Sequence, residues 1–181
     1  MKKQSELNDS IEKVYLTNEQ IQERVQVLGK KITEDFSGQE LVVVGILKGA
    51  FIFMADLCRN IDLPMKVDFM SISSYGNSFK SSGNVKVEKD LSENIEDKNV
   101  LIVEDIIDTG LTMSHVVEML KLRRPKQIKV CVLFTKPTNN KRFVNIDYCG
   151  FDLDDKFVVG YGLDYCGYLR NLPFIGVAKT N

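Results

Sequence analysis

Apolar residues in this chain gather in two ways, as short dense runs and as helically spaced stripes, and the two kinds alternate. Leu41 to Leu47 is a dense run rich in valine, and Val100 to Val103 is another. Runs of this kind predict parallel strands buried on both faces. Ile21, Val25, Leu28 and Ile32 recur at helical spacing behind Thr17-x-x-Gln20, a pattern that resembles a capping box. Lys48-Gly49-Ala50 breaks the first run and leads into a largely apolar helix, Phe51 to Cys58. Met113, Val116, Val117 and Leu120 form one face of a further helix. Arg123 and Arg124 suit its C-terminus, and Pro125 stops it.

Met65, Val67 and Phe69 alternate, so Met65 to Ser73 predicts a strand. Ile128 to Phe134, Phe143 to Cys149 and Phe157 to Tyr161 predict three more. Long strands in the second half are expected to add a small cap, or hood. Residues 73–84 are rich in Ser, Gly and Asn with little to bury, which predicts a long mobile loop. Residues 1–10 read as a loose tail. There is no internal repeat and no low-complexity linker. Residues 1–181 therefore read as one domain of the α/β class, a doubly wound, mainly parallel sheet flanked by helices.

Charge and composition narrow the function classes. The formal net charge is −1, which argues against a general nucleic-acid binder, since such a protein carries a basic excess. No apolar run approaches the length of a membrane span, and the polar first ten residues do not read as a signal peptide. Cys58, Cys131, Cys149 and Cys166 include no C-x-x-C pair, and the first three lie in apolar segments. They read as reduced thiols of a cytoplasmic protein. His115 is the one histidine and lies on a helix, and no G-x-S-x-G is present. Carboxylates and lysines are left to carry any chemistry.

The stretch from Val100 to Thr112, V-L-I-V-E-D-I-I-D-T-G-L-T, concentrates those carboxylates. The apolar run is expected to end in Glu104 and Asp105, with Asp108 and a Thr-Gly-x-Thr turn leading into the helix. Adjacent acids at a strand end can hold vicinal hydroxyls or a metal ion. The turn can wrap a phosphate with backbone amides at a helix N-terminus. Open α/β sheets bind ligands at such a strand end. Acids also suit a helix N-terminus for its dipole alone, and Thr-Gly turns are common.

These residues resemble the phosphoribosyl pyrophosphate motif of type I phosphoribosyltransferases. The segment K-F-V-V-G-Y-G-L-D-Y, Lys156 to Tyr165, makes the chain similar to the short bacterial hypoxanthine-guanine branch of that family. The likeness runs from about Ile11 to Val177. It implies the type I phosphoribosyltransferase fold with its hood. It implies purine salvage: transfer of a phosphoribosyl group from 5-phosphoribosyl-1-pyrophosphate to hypoxanthine or guanine, giving IMP or GMP and pyrophosphate.

The resemblance also implies roles. Glu104 and Asp105 would hold the ribose hydroxyls, directly or through Mg²⁺, and Asp108 would be the general base. Thr109, Gly110, Leu111 and Thr112 would bind the 5′-phosphate, with Leu111 standing where some relatives carry Lys. Lys48 and Gly49 would bind pyrophosphate behind a cis Leu47–Lys48 peptide bond, and Arg170 would join them. Lys136 would bond the purine 6-oxygen. Phe157 and Ile106 would pack the purine faces, and Val158 would present its backbone to the purine edge. Asp164 would ligate Mg²⁺ and reach the purine 2-substituent with its backbone. Ser74 and Tyr75 would belong to a lid formed by residues 73–84. Asn140 stands where many relatives place Arg near pyrophosphate, with Lys141 and Arg142 as substitutes nearby.

A homo-oligomer, dimer or tetramer, and a cytoplasmic site of action are expected on the same ground. Two other readings compete, the first of them from a different class. One is a regulatory protein that keeps the motif and binds RNA or DNA, which the near-neutral charge and the complete 157–164 segment oppose. The other is transfer to a different base. Lys136 opposes adenine, and the 156–165 segment opposes uracil and orotate.

Overall fold

The computed structural model describes residues 10–74, 85–136 and 143–179. Its main sheet has six strands in the order β4-β3-β2-β5-β6-β7, formed by β2 (Leu41–Leu47), β3 (Met65–Ser74), β4 (Val85–Lys89), β5 (Asn99–Ile107), β6 (Gln127–Thr135) and β7 (Tyr148–Asp152). All neighbours pair parallel except β3 with β4, which is antiparallel. Chain order reverses between β2 and β5, so a topological switch point lies there.

The dense apolar runs form the centre of this sheet because both faces are covered. Leu41, Val43, Leu101 and Val103 pack against α1 (Asn18–Asp35) and α2 (Phe51–Arg59). Val42, Val44, Val100 and Ile102 alternate with them and pack against α3 (Leu111–Lys121). Truncating any of these to alanine costs about 2–5 kcal/mol by cavity formation. Thr17 and Gln20 form the expected capping box: the Gln20 amide donates to Thr17 Oγ1 at 3.3 Å and the Thr17 amide to Gln20 Oε1 at 2.9 Å. Ile21, Val25, Leu28 and Ile32 are all buried. Gly29 brings α1 against the end of α2, since a Cβ there would lie 2.4 Å from the Asn60 carbonyl oxygen.

A second sheet, in the order β1-β9-β8, is the cap. It joins β1 (Ile11–Leu16), β8 (Val158–Val159) and β9 (Ile175–Ala178), all antiparallel. Its strands are short, and one comes from the start of the chain, against the expectation of long strands from the second half.

Three further expectations are corrected. Strand β5 does not end before the acids: it carries Glu104 through Ile107, because β6 continues to pair with it as far as Ile107 opposite Thr135. Residues 143–147 are not strand, and β7 begins at Tyr148. Asp147 fixes that start, its amide donating to the Val130 carbonyl and its carboxylate accepting from the Val130 amide. Residues 157–161 hold only the two-residue β8, because Gly160, Tyr161 and Gly162 all have positive φ. Residues 73 and 74 finish β3; residues 75–84, like the tail at 1–9, lie outside the described residues.

Candidate active site

The geometry of the site begins where β2 and β5 part. Their pairing stops at Gly45 opposite Val103. Beyond it β2 stays with β3 and β5 stays with β6. Glu104 and Asp105 are the next residues of β5, so both acids flank the crevice that opens at the switch point. Each is half-buried and folded back on the chain: the Asp105 amide donates to Glu104 Oε1 and the Ile106 amide to Asp105 Oδ1. Burial, and then the neighbouring Asp105 carboxylate, push the Glu104 carboxyl well above the usual carboxylate range.

Across the crevice the loop after β2 approaches Asp105. The Leu47–Lys48 peptide bond is cis, as the sequence likeness implies. Lys48 is exposed and Gly49 buried. A Cβ on Gly49 would lie 1.5 Å from Asp105 Oδ2, so only glycine admits this approach. Gly162 meets the other side of the loop, where its Cβ would lie 2.0 Å from the Gly49 carbonyl oxygen.

Asp108 and Thr109 follow β5 and are exposed. Gly110, at φ 81, turns the chain into α3 without a side-chain cap and without an acid in the first turn. Thr109 Oγ1 accepts from the Leu111 amide at 3.3 Å. Beyond the Leu111 amide, the first-turn donors and the helix dipole stay directed at whatever binds the 108–112 turn. Phe143 and Val144 support the turn from behind: the Phe143 amide donates to the Thr109 carbonyl, and a Cβ on Gly110 would lie 2.7 Å from Val144 Cγ1.

The remaining candidates come from β6 and the cap. Lys136 is half-buried, with Nζ 3.7 Å from the exposed carboxylate of Asp155. Its amide donates to the Ile107 carbonyl, which ties it to the end of β5. Ile106 is half-buried. Val158 is buried in β8, and Phe157 beside it is exposed, its ring edge-on to Tyr165 at 5.9 Å. Asp164 pairs with Arg170 at 2.5 Å and accepts from the Gly167 amide, while Arg170 also donates to the Gly162 carbonyl. Arg170, expected at pyrophosphate, thus neutralises Asp164, expected at a metal. Ser74 ends β3; Tyr75, Asn140, Lys141 and Arg142 lie outside the described residues.

Among the described residues no three acids, cysteines or histidines form a metal cluster. Glu104 and Asp105 still suit a hard divalent cation by donor type, since they place two adjacent carboxylates near one strand end. Mg²⁺ commonly takes one or two carboxylates and fills its shell with water and substrate oxygens. A cavity of about 140 Å³ lies at the other end of the sheet, bordered by Glu40, Met65 and Lys98, and takes no part in this arrangement.

Two contacts escaped the sequence reading. Tyr161 is buried and its hydroxyl donates to Asp56 on α2, and Gly162 packs on Gly49. The G-Y-G spelling is the only signal that could have marked them, as a tight loop.

Comparison with known proteins matches residues 13–166 to the phosphoribosyl transferase domain family. Hypoxanthine-guanine phosphoribosyltransferase of Bacillus subtilis is 48% identical over 173 residues, 96% of each chain. Hypoxanthine phosphoribosyltransferase of Escherichia coli K12 is 48% identical over 165 residues, 90% of this chain and 93% of that one. The crystal structure of a hypoxanthine phosphoribosyltransferase from Staphylococcus aureus superposes with a TM-score of 0.92 at 43% identity, covering 98% of this chain and 97% of the other.

Proposed function

The chain belongs to the phosphoribosyl transferase domain family, and on that premise we propose that it is a purine-salvage enzyme acting on hypoxanthine or guanine. It joins the base to 5-phosphoribosyl-1-pyrophosphate and yields IMP or GMP and pyrophosphate. The observation that carries this reading is the continuity of β5 into Glu104, Asp105 and the uncapped 108–112 turn, set at the sheet's switch point.

In this mechanism the 5′-phosphate sits on the amides and hydroxyls of Thr109, Gly110, Leu111 and Thr112. Glu104 and Asp105 hold the ribose hydroxyls. The purine lies between Ile106 and Phe157, with the Val158 backbone at its edge. Lys136 donates to the 6-oxygen and stabilises the charge left there when the ring loses its proton. An exocyclic amine offers that ammonium only hydrogens, which disfavours adenine. The ring nitrogen attacks the anomeric carbon as the bond to pyrophosphate breaks with its electron pair. Asp108 takes the purine proton. Its exposure at the mouth of the turn leaves it open to substrate.

Lys48, the Gly49 amide and Arg170 receive the departing pyrophosphate, Arg170 exchanging Asp164 for it. Glu104, Asp105 and Asp164 would hold Mg²⁺, which would supply neutralisation of charge on the leaving group. Ser74 and Tyr75 are assigned to a lid over the donor. A cytoplasmic site of action fits the four free cysteines and the lack, among the described residues, of any helix long and apolar enough to cross a membrane. A dimer or tetramer is expected in solution.

The test is direct. The protein is mixed with the phosphoribosyl donor, Mg²⁺ and each purine in turn, and nucleotide and pyrophosphate are followed. Formation of IMP and GMP but little AMP supports the reading. No product from any 6-oxopurine would overturn it.

A further inference from the structure

We propose that Tyr161 is a positioning residue that locks the pyrophosphate loop, residues 47–50, to the cap loop that carries Asp164. Its hydroxyl donates to Asp56 Oδ2 at 2.7 Å. Asp56 lies on α2, the helix that starts directly after residues 48–50, and the Met54 amide donates to the Ala50 carbonyl at 2.8 Å. The next residue along, Gly162, presses on the Gly49 carbonyl oxygen. The two loops are therefore joined twice, by Tyr161 to the helix behind and by Gly162 to the loop itself.

The local backbone carries a side chain where glycine would be easier. Tyr161 sits at φ 48 between Gly160 at 99 and Gly162 at 103. A left-handed conformation disfavours an aromatic residue and would suit a third glycine. The ring is buried, at 2 % exposure, and its phenol is the polar handle that reaches α2. Asp56 is held ready for it by Gln22 Nε2 at 2.8 Å on the same oxygen, while the exposed Arg59 reaches only the other oxygen. Burial, followed by the bond to Asp56, raises the phenol pKa, so the hydroxyl stays a donor.

The same anchoring reaches Arg170. The Gly162 amide donates to the Arg170 carbonyl, and the Arg170 guanidinium donates to the Gly162 carbonyl. Fixing residues 161–162 against α2 thus fixes Gly49 and the stem of Arg170 together. Both are pyrophosphate contacts in the function proposed above, and the kinetic part of this inference rests on that reading.

Tyr161→Phe tests it, because the ring stays and Asp56 keeps Gln22 and Arg59. One measurement needs no substrate. Amide exchange at residues 48–50 and 160–163 should quicken about tenfold, with the centres of β2 and β5 unchanged. The second is kinetic: KM for the phosphoribosyl donor should rise about tenfold while KM for hypoxanthine, which has no 2-substituent, stays within about twofold. Arg59→Ala breaks only the solvent-facing pair on Asp56 and should leave both measurements as in the parent. Unchanged exchange at 48–50 in Tyr161→Phe, a uniform rise in both KM values, or equal effects from Arg59→Ala would overturn the assignment. If the parent protein makes no nucleotide, the proposed function fails, and the exchange measurement still decides the role of Tyr161.

Discussion

The Asp105 carboxylate occupies the space that a side chain on Gly49 would need: a Cβ there would fall 1.5 Å from Oδ2. Gly49→Ala should therefore push Asp105 off its bond to the Ile106 amide and move the loop after β2. Because the displaced group is one short side chain, the expected stability loss is only about 1–2 kcal/mol. The donor KM should rise at least about tenfold. Steady-state kinetics beside a thermal melt separates the two effects. A variant with parental donor KM would show that this contact does not shape the donor site.

Asp108→Asn keeps the shape of the turn but cannot accept a proton. Turnover should fall by about 10²–10⁴-fold, with nucleotide affinity near that of the parent. Calorimetric titration with IMP and a turnover assay check both halves. Parental turnover would remove Asp108 from the role of base.

Lys136→Ala gives up only a long contact with an exposed carboxylate, so the fold should lose less than about 1 kcal/mol. KM for hypoxanthine and guanine should rise by about 10–100-fold, as for a lost charged hydrogen bond, and far more than KM for the donor. Equal effects on both substrates would contradict its placement at the purine.

Asp68 makes a pH prediction at a distance from the chemistry. Its buried carboxylate accepts from the amides of Ser92 at 2.6 Å, Glu93 at 2.8 Å and Phe69 at 2.8 Å, with Lys89 beside it. Burial opposes ionisation, but these donors together outweigh it and hold the pKa below the usual value. A group depressed on folding stabilises the fold above its unfolded pKa, and that contribution is lost as pH falls through the folded value. Asp68→Asn should cost roughly 2–3 kcal/mol at neutral pH. The difference from the parent should shrink as pH falls below about 4. Denaturant midpoints across that range test this. A pH-independent difference would mean that the charge contributes nothing.

What could be read from the sequence depended on how closely local pattern tracked environment. Strand β2 and the start of β5 were plain because strands buried on both faces must be apolar throughout. The α1 stripe was plain because its capping box and its buried face agree. Strands β1 and β9 were missed: β1 is half exposed, and its two register shifts against β9 blur the alternation that marks a strand. Residues 143–149 are apolar enough for a strand, yet Phe143 and Val144 serve the turn at Thr109 and Gly110, a tertiary demand with no local signature. Glu104 and Asp105 stood out as candidates because they follow one another directly after an apolar run. The Tyr161–Asp56 contact joins residues 105 positions apart, and no local pattern reports such a bond.

The cap has a consequence for how the protein is made. Strand β1 finds its one partner among the described residues in β9, with Ile11 opposite Ala178 and the Lys179 amide donating to the Ser10 carbonyl at 2.8 Å. Strand β8 also relies on β9, through Val158 opposite Val177. On the ribosome the parallel sheet and both acids can emerge and pack while β1 and β8 still wait for Ile175 to Ala178. The segment bearing Phe157 and Val158 therefore completes its sheet pairing only after residues 104–112 have emerged.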